Sequence, residues 1–259
     1  MKNILTVSLA LLLSFSLYAG DRTAPCRPKK STVLMSYNVK NGEGMDGQRL
    51  YSRTAAVITL CRPDVVALQE LDRGTKRVAG ADVAEELARI TGMKSVFARA
   101  IDFGGGEYGV GILSTQAPLR TKSVPLPGRE ENRVLLMAEF GKYIFCCTHL
   151  SLTKEDRLAS VAIIDAALRE FSEGCRKPVY IAGDWNDTPD SETLSRFRER
   201  FSILSDTDAY TFPADKPART IDYIAIWKGN RFGARRKPSC AFTPADSLAS
   251  DHRPVVVGL

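Results

Sequence analysis

Val179-Tyr180-Ile181-Ala182-Gly183-Asp184-Trp185-Asn186-Asp187, preceded by Pro178 and closed by Thr188-Pro189, reads as a short buried strand that ends in a glycine, two acids and an amide. A compact apolar run bounded by a proline predicts a strand inside a sheet. Polar groups delivered at its end stand at the sheet's rim, on a rigid element that can hold reacting groups in place. Gly, Asp and Asn are also ordinary turn residues. The stretch therefore gains meaning only if other strands end the same way.

They do. Upstream, 143–150 is an apolar run ending in Thr148-His149, and a helix at 154–171, with Leu158, Val161, Ile164, Leu168 and Phe171 at helical spacing, links it to 179–182. At the start, 32–39 reads as a strand ending in Asn38, followed by the Gly-rich loop 41–44. A helix over 49–61 buries Leu50, Thr54, Val57, Ile58 and Cys61 and is stopped by Pro63. The strand 64–70 is apolar until Gln69-Glu70, and a helix at 82–90 points Val83, Leu87 and Ile90 inward before a cap at Gly92. The runs 94–100, 108–114, 119–124 and 133–140 have no helix between them and should pair antiparallel. Downstream lie a helix at 191–200, a strand at 220–226 carrying Asp222, a basic hairpin at 228–237, and the turn Ser250-Asp251-His252 leading into a last strand.

The 259 residues are 44% hydrophobic and 25% charged, an ordinary globular composition without repeat or linker, which favours one domain over 21–259. Residues 1–20 read as a cleavable signal peptide: Lys2, an apolar core from Ile4 to Leu17 too short to span a bilayer comfortably, and small residues at Ala19-Gly20. An exported protein, periplasmic or extracellular, is the expectation, with no transmembrane span in the mature chain. Six cysteines, at 26, 61, 146, 147, 175 and 240, then meet an oxidising compartment, with one or two disulfides of undetermined pairing expected, and no zinc-like spacing. Cys146 and Cys147 should point to opposite faces of their strand, and buried free thiols are an equal reading for them. With 36 basic and 30 acidic residues, the leader's only charge being Lys2, the mature chain has 35 basic residues and a charge of +5, compatible with a phosphate-bearing substrate.

The strand-end groups are Asn38, Glu70, His149, Asp184, Asn186, Asp222, Asp251 and His252. If these ends share one rim, four carboxylates converge and resist ionising together. A divalent cation resolves the conflict, and oxygen donors without thiolate select a hard ion, Mg²⁺ or alternatively Mn²⁺. The chain's two histidines both fall in this set, as general acid–base catalysis near neutral pH requires.

On these motifs the sequence resembles the endonuclease/exonuclease/phosphatase superfamily, the deoxyribonuclease I-like fold. Ser36-Tyr37-Asn38, Leu68-Gln69-Glu70, Thr148-His149-Leu150, Gly183-Asp184-Trp185-Asn186, Ile221-Asp222-Tyr223-Ile224 and Ser250-Asp251-His252-Arg253-Pro254 follow the family's order over nearly all of the mature chain. The resemblance implies an α/β fold, a four-layered sandwich of two packed mixed or antiparallel sheets flanked by helices. It implies that Glu70 is the main metal ligand, with Asn38 beside it and Asp251 close by. His252 would be the general base, held by Asp222. Asp184 and Asn186 would bind the phosphate and orient the nucleophile, and His149 would contact the phosphate or protonate the leaving oxygen. In the deoxyribonuclease branch an acid pairs with that histidine, and Glu107 is the candidate by position. Arg133 and Arg157 are candidate phosphate contacts, with solvated surface arginines as the competing reading.

The resemblance leaves the substrate open, since peripheral loops choose it. A Mg²⁺-dependent phosphodiesterase, nuclease-like, stands first. A phosphatase or phospholipase-type hydrolase of lipid headgroups or small phosphoesters stands second, and a non-catalytic binding module third. A monomer is expected. The hairpin residues Lys228, Arg231, Arg235, Arg236 and Lys237 could grip an anionic backbone, or be a solvated turn.

Overall fold

The structure, a computed structural model, describes residues 32–232 and 237–259. In chain order the elements are β1 (Val33–Asn38), α1 (Tyr51–Cys61), β2 (Val65–Arg73), α2 (Val83–Thr91), β3 (Lys94–Phe103), β4 (Gly106–Ser114), β5 (Arg120–Leu126), β6 (Arg133–Glu139), β7 (Ile144–His149), α3 (Lys154–Phe171), β8 (Val179–Asp184), α4 (Glu192–Arg200), β9 (Phe201–Ile203), β10 (Asp222–Trp227), β11 (Cys240–Phe242) and β12 (Val255–Gly258). They build two six-stranded sheets, ordered β11-β12-β1-β2-β4-β3 and β5-β6-β7-β8-β10-β9.

Each sheet contains one parallel pair, β1 with β2 and β7 with β8, and all other pairings are antiparallel. A parallel pair needs a crossover, and α1 and α3 supply the two. Leu34, Ala67, Ile112, Phe145, Cys147, Ala182, Ile224 and Val255 pack between the sheets. Met35, Val66 and Leu68 on the opposite face take α1 and α2, and Cys146, Ile181 and Tyr223 take α3 and α4. The result is the expected four-layered sandwich. Strands covered on both faces are apolar at nearly every position, which is why they read as continuous runs.

This topology explains why the polar ends meet. Asn38 is level with Gln69, and His149 with Asp184, at the C-terminal edges of the two parallel pairs. An antiparallel neighbour starts where its partner ends, so Asp222 at the head of β10 lies opposite Asp184. The turn before β12 enters beside β1, where Ser250 Oγ donates to the Asn38 carbonyl at 2.7 Å.

Several expectations needed correction. Leu50 is 41% exposed, because it is an extended N-cap outside α1, whose buried face is Thr54, Ala55 and Ile58. Ile90 is 40% exposed, since α2 ends one residue later and Ala84 and Ala88 complete its face instead. β2 does not stop at Glu70. One extra residue interrupts its pairing with β4 between Leu68 and Leu71, a bulge, and the strand resumes to Arg73. The edge strands β9 and β11 are too short for a periodic signal.

Cys146 and Cys147 do face opposite layers, both as buried free thiols, and burial pushes Cys147 up to about 12. Cys240 is disulfide-bonded, and Cys61 and Cys175 are free. No described helix is long and apolar enough to cross a membrane. The expected signal peptide at 1–20 and Cys26 lie outside the described residues, as do Arg235 and Arg236 of the expected basic hairpin. Lys228 and Arg231 follow the far end of β10, roughly 17 Å along that strand from Asp222.

Candidate active site

Asp184 is the centre of the site. Its Oδ1 accepts the Asn186 backbone N–H at 2.9 Å. Its Oδ2 accepts from Asn38 Nδ2 at 3.1 Å and lies 3.5 Å from His149 Nε2 and 3.6 Å from His252 Nε2. One carboxylate oxygen thus faces groups from both sheets. Asn38 Nδ2 also donates to Glu70 Oε1 at 2.9 Å, so a single amide bridges two carboxylates.

Glu70 and Asn186 reach this point through unusual backbone. Glu70, in the β2 bulge, has φ 58°, and Asn186 has φ 51°; Lys40 and Asn41, just after Asn38, are also left-handed at φ 44° and 46°. Such conformations cost of order 1 kcal/mol each for residues other than glycine and gather where geometry serves function. At Glu70 the bulge breaks the strand's regular alternation and re-aims the side chain into the cleft. Asn186 uses its amide to donate to the Leu150 carbonyl at 2.9 Å and to His149 Nε2 at 3.0 Å. His149 Nε2 is then the acceptor, and a neutral ring carries its proton on Nδ1.

His252 is held from behind. Its Nδ1 meets Asp222 Oδ2 at 2.9 Å, with both residues buried, and Phe212 packs against the ring at 4.7 Å between centroids. Nε2 is left facing Asp184 and Asn38. A carboxylate on one ring nitrogen and an open second nitrogen is the arrangement of an oriented base.

Burial alone would lower the His252 pKa, but Asp222, Asp184 and the Asp222 hydrogen bond outweigh it and raise it to about 10. His149 moves the other way: burial, with Arg133 assisting, outweighs Asp184 and lowers it to about 4. Burial, then the charges of Asp251 and Asp184, raises Glu70 against the opposing Asn38 bond. The folded His252 stays protonated above its ordinary 6.5, so its contribution to stability is complete below pH 6.5 and is lost as pH rises toward 10. His149 resists protonation, so its contribution is present above pH 6.5 and is lost as pH falls toward 4. Metal-free protein in chelator should therefore be most stable near pH 6.5 in urea titrations, declining on both sides. Stability that rises steadily from pH 6.5 to 9 would contradict the Asp222–His252 pairing.

The donor set fits a hard divalent cation. Glu70, Asp184 and Asp251 crowd negative charge, no thiolate lines the cleft, and a cation would relieve both the burial and the neighbouring charges that raise Glu70. Asp184, Asp222 and His252 also place ligand atoms within 4.8 Å of one another. There, however, Asp222 Oδ2 is already taken by the imidazole, so Glu70 with Asn38 and Asp251 is the better set. Asn38 at present turns its NH₂ to the carboxylates and its Oδ1 to the Lys40 N–H at 3.2 Å. A half-turn of the amide would offer the oxygen instead.

The profile of the Endonuclease/Exonuclease/phosphatase family matches residues 35–252, from β1 to the catalytic-type histidine. The chain belongs to this family. Its members are metal-dependent enzymes that hydrolyse phosphoesters, and so is this protein. Solved structures agree on the fold. An endonuclease/exonuclease/phosphatase from Bacteroides vulgatus superposes with a TM-score of 0.71 at 16% identity, covering 89% of this chain and 98% of that one. A mannosyl-6-phosphatase from Bacteroides thetaiotaomicron gives 0.67 at 18% identity, covering 88% and 100%. The human Nocturnin catalytic domain, with bound sulfate, gives 0.62 at 18% identity, covering 88% and 92%. No curated protein matches the sequence.

Around the family's central groups the cleft, about 550 Å³, is walled by Tyr108, Glu131 and Arg133 on one side and by Phe212, Arg219 and Ile221 on the other. Glu107 is not brought to His149. It pairs with Arg73 and lies 3.9 Å from Arg99 on the β3–β4 hairpin, because β4 is in register with the resumed half of β2. Arg133 and Arg157 do line the cleft, and neither is a solvated surface arginine. Arg133 is held by Glu130 at 3.1 Å and Glu131 at 2.9 Å. Arg157 ties the loops after β7 and β8 together through Ser151 O, Leu152 O and Asp187. Phe212 and Arg219 were not singled out from the sequence. Arg219 stands two residues before Ile221-Asp222, which is the one local signal that could have marked it.

Proposed function

We propose that the protein is an exported, Mg²⁺-dependent phosphodiesterase of nuclease-like type. The observation that carries the reading is the buried Asp222–His252 pair, with Nε2 open toward Asp184 and the Glu70 group. With a cation's charge offsetting the carboxylates that keep metal-free His252 protonated, His252 Nε2 would take the proton of the attacking water, while Asp222 holds the imidazole in register and stabilises its charge. Asn186 and Asp184 orient the phosphoryl group. His149, kept neutral, contacts it as a hydrogen-bonding group rather than as a strong acid. Bound Mg²⁺, held by Glu70 with Asn38 and Asp251, would polarise a phosphoryl oxygen and neutralise charge on the leaving oxygen.

The cleft suits an anionic ester. Its lining carries the guanidiniums of Arg133, Arg157 and Arg219 against the carboxylates of Glu70, Glu131, Asp184 and Asp251. Export rests on the apolar leader at 1–20.

The test is nicking of supercoiled plasmid, with bis(p-nitrophenyl) phosphate and p-nitrophenyl phosphate as small diester and monoester. Mg²⁺-dependent nicking, stopped by chelator, with the small diester cut faster than the monoester, is the expected result. The reverse preference, without nicking, would select the phosphatase reading.

A further inference from the structure

Three guanidiniums line the cleft, and two are committed to the protein. Arg133 is held by Glu130 and Glu131, and Arg157 by Asp187 and two carbonyls. Arg219 differs. Its guanidinium lies over the Phe212 ring, 5.1 Å from the centroid, and no described carboxylate pairs with it. Arg133 keeps a buried Nε without a partner, but among the described residues Arg219 is the one cleft guanidinium without an ion pair.

Its position is built in. Phe212 and Arg219 face each other across an antiparallel bridge, exchanging N–H to carbonyl bonds at 3.0 Å in both directions. The same loop is fastened to both flanks of His252: Ala214 N–H donates to Asp251 O at 2.7 Å, and Arg253 N–H to Thr211 O at 2.7 Å. Arg253 Nε adds a bond to Ala214 O at 2.8 Å. The imidazole and the guanidinium both contact the phenyl ring, and the loop that carries the ring is anchored to the turn that delivers the base. Stacking on a ring restrains a guanidinium while leaving its edge free for two-pronged contact with phosphate oxygens.

Phe212 touches both that guanidinium and the imidazole that takes the proton, so the guanidinium stands beside the reacting position rather than on it. It is therefore placed for a substrate charge outside the reacting phosphoryl group. We propose that Arg219 binds a second phosphate of the substrate, adjacent to the one hydrolysed, so that the Phe212–Arg219 pair selects substrates with neighbouring phosphates. The proposal rests on the phosphodiesterase reading and adds the feature that distinguishes a polynucleotide-like chain from an isolated diester.

The experiment is titration calorimetry in Mg²⁺ with two dithymidine ligands whose internucleotide linkage is a hydrolysis-resistant phosphorodithioate: one with free ends, the other phosphorylated at both ends. Wild-type protein should bind the end-phosphorylated ligand at least tenfold more tightly. Arg219→Gln should remove most of that preference and weaken the free-ended ligand by no more than about twofold, while Arg219→Lys restores part of it. The slope of log affinity against log salt for the end-phosphorylated ligand should fall by about one in Arg219→Gln. Arg219 is exposed, so both variants should fold, and circular dichroism checks this. Equal weakening of both ligands by Arg219→Gln, or a wild-type protein without the preference, overturns the assignment. Failure of the phosphodiesterase reading itself is seen separately, as wild-type protein that cuts neither plasmid nor the small diester.

Discussion

His252→Ala should lower kcat by roughly 10³–10⁴-fold, the size of a lost, oriented general base. The argument is geometric. His252 Nδ1 is fixed on Asp222, and Nε2 is the open nitrogen facing the carboxylate cluster. Asp222→Asn should cost a large part of the same factor, because an amide neither holds the Nδ1–H as a carboxylate does nor stabilises the imidazolium that forms. The double variant should be little worse than His252→Ala alone, since residues acting as one unit are not additive. Stability changes too. Removing the imidazole leaves a buried Asp222 carboxylate without its partner, and its Oδ1 already has none. Breaking a buried pair from one side costs about 3 kcal/mol, so His252→Ala should melt lower yet remain folded at room temperature. Single-turnover rates and thermal melts measure both effects. Near-normal turnover in folded His252→Ala protein would mean that another group takes the proton.

Glu70→Gln should separate function from stability in the opposite sense. Hydrolysis should fall by roughly 10³-fold or more if Glu70 is the main ligand of the cation, as proposed. In chelator, however, the variant should melt higher than wild type. Burial and the charges of Asp251 and Asp184 raise the Glu70 pKa, so its ionised form is unfavourable in the metal-free fold, and a neutral amide removes that repulsion. In wild type, Mg²⁺ at a hundredfold excess over its Kd should add about 2.7 kcal/mol of stability, which for a chain of this size is a Tm rise of about 5–10 °C. In Glu70→Gln that rise should vanish. Melting curves with chelator and with Mg²⁺ read both parts at once. A variant that keeps the Mg²⁺-dependent shift would place the cation elsewhere, with the Asp184–Asp222 pair as the alternative.

Much of the site was legible because its residues sit at strand ends, and strand ends are local features. Asp184 and Asn186 follow an apolar run, and His149 and Asp222 stand at the limits of two others. The two crossovers then required the ends of each parallel pair to lie side by side. Glu107 was misplaced for the opposite reason. Its position depends on register across the β2 bulge, and Gln69-Glu70-Leu71-Asp72 carries no mark of an extra residue. Arg133 and Arg157 are near phosphate by position, but their guanidiniums are ion-paired with Glu130, Glu131 and Asp187, which no spacing connects to them, and among the described residues only the Arg133 Nε is left without a partner. Leu50 and Ile90 fit a helical stripe on paper and lie outside or at the frayed end of the helices that bury it.

The sequence by itself determined the layered α/β architecture and the carboxylate, amide and histidine inventory that the strand ends bring together. These follow from periodicity and from which side chains end each strand, properties carried by a few consecutive residues. Only the tertiary structure decided that Asp184 Oδ2 is the shared centre, that a left-handed Glu70 turns into the cleft, and that Arg219 rather than Arg133 or Arg157 is the uncommitted guanidinium. Each of these depends on contacts between segments remote in sequence, as with the loop at 211–219 fastened across Asp251 and Arg253. Local propensity has no term for a partner that arrives from elsewhere in the chain.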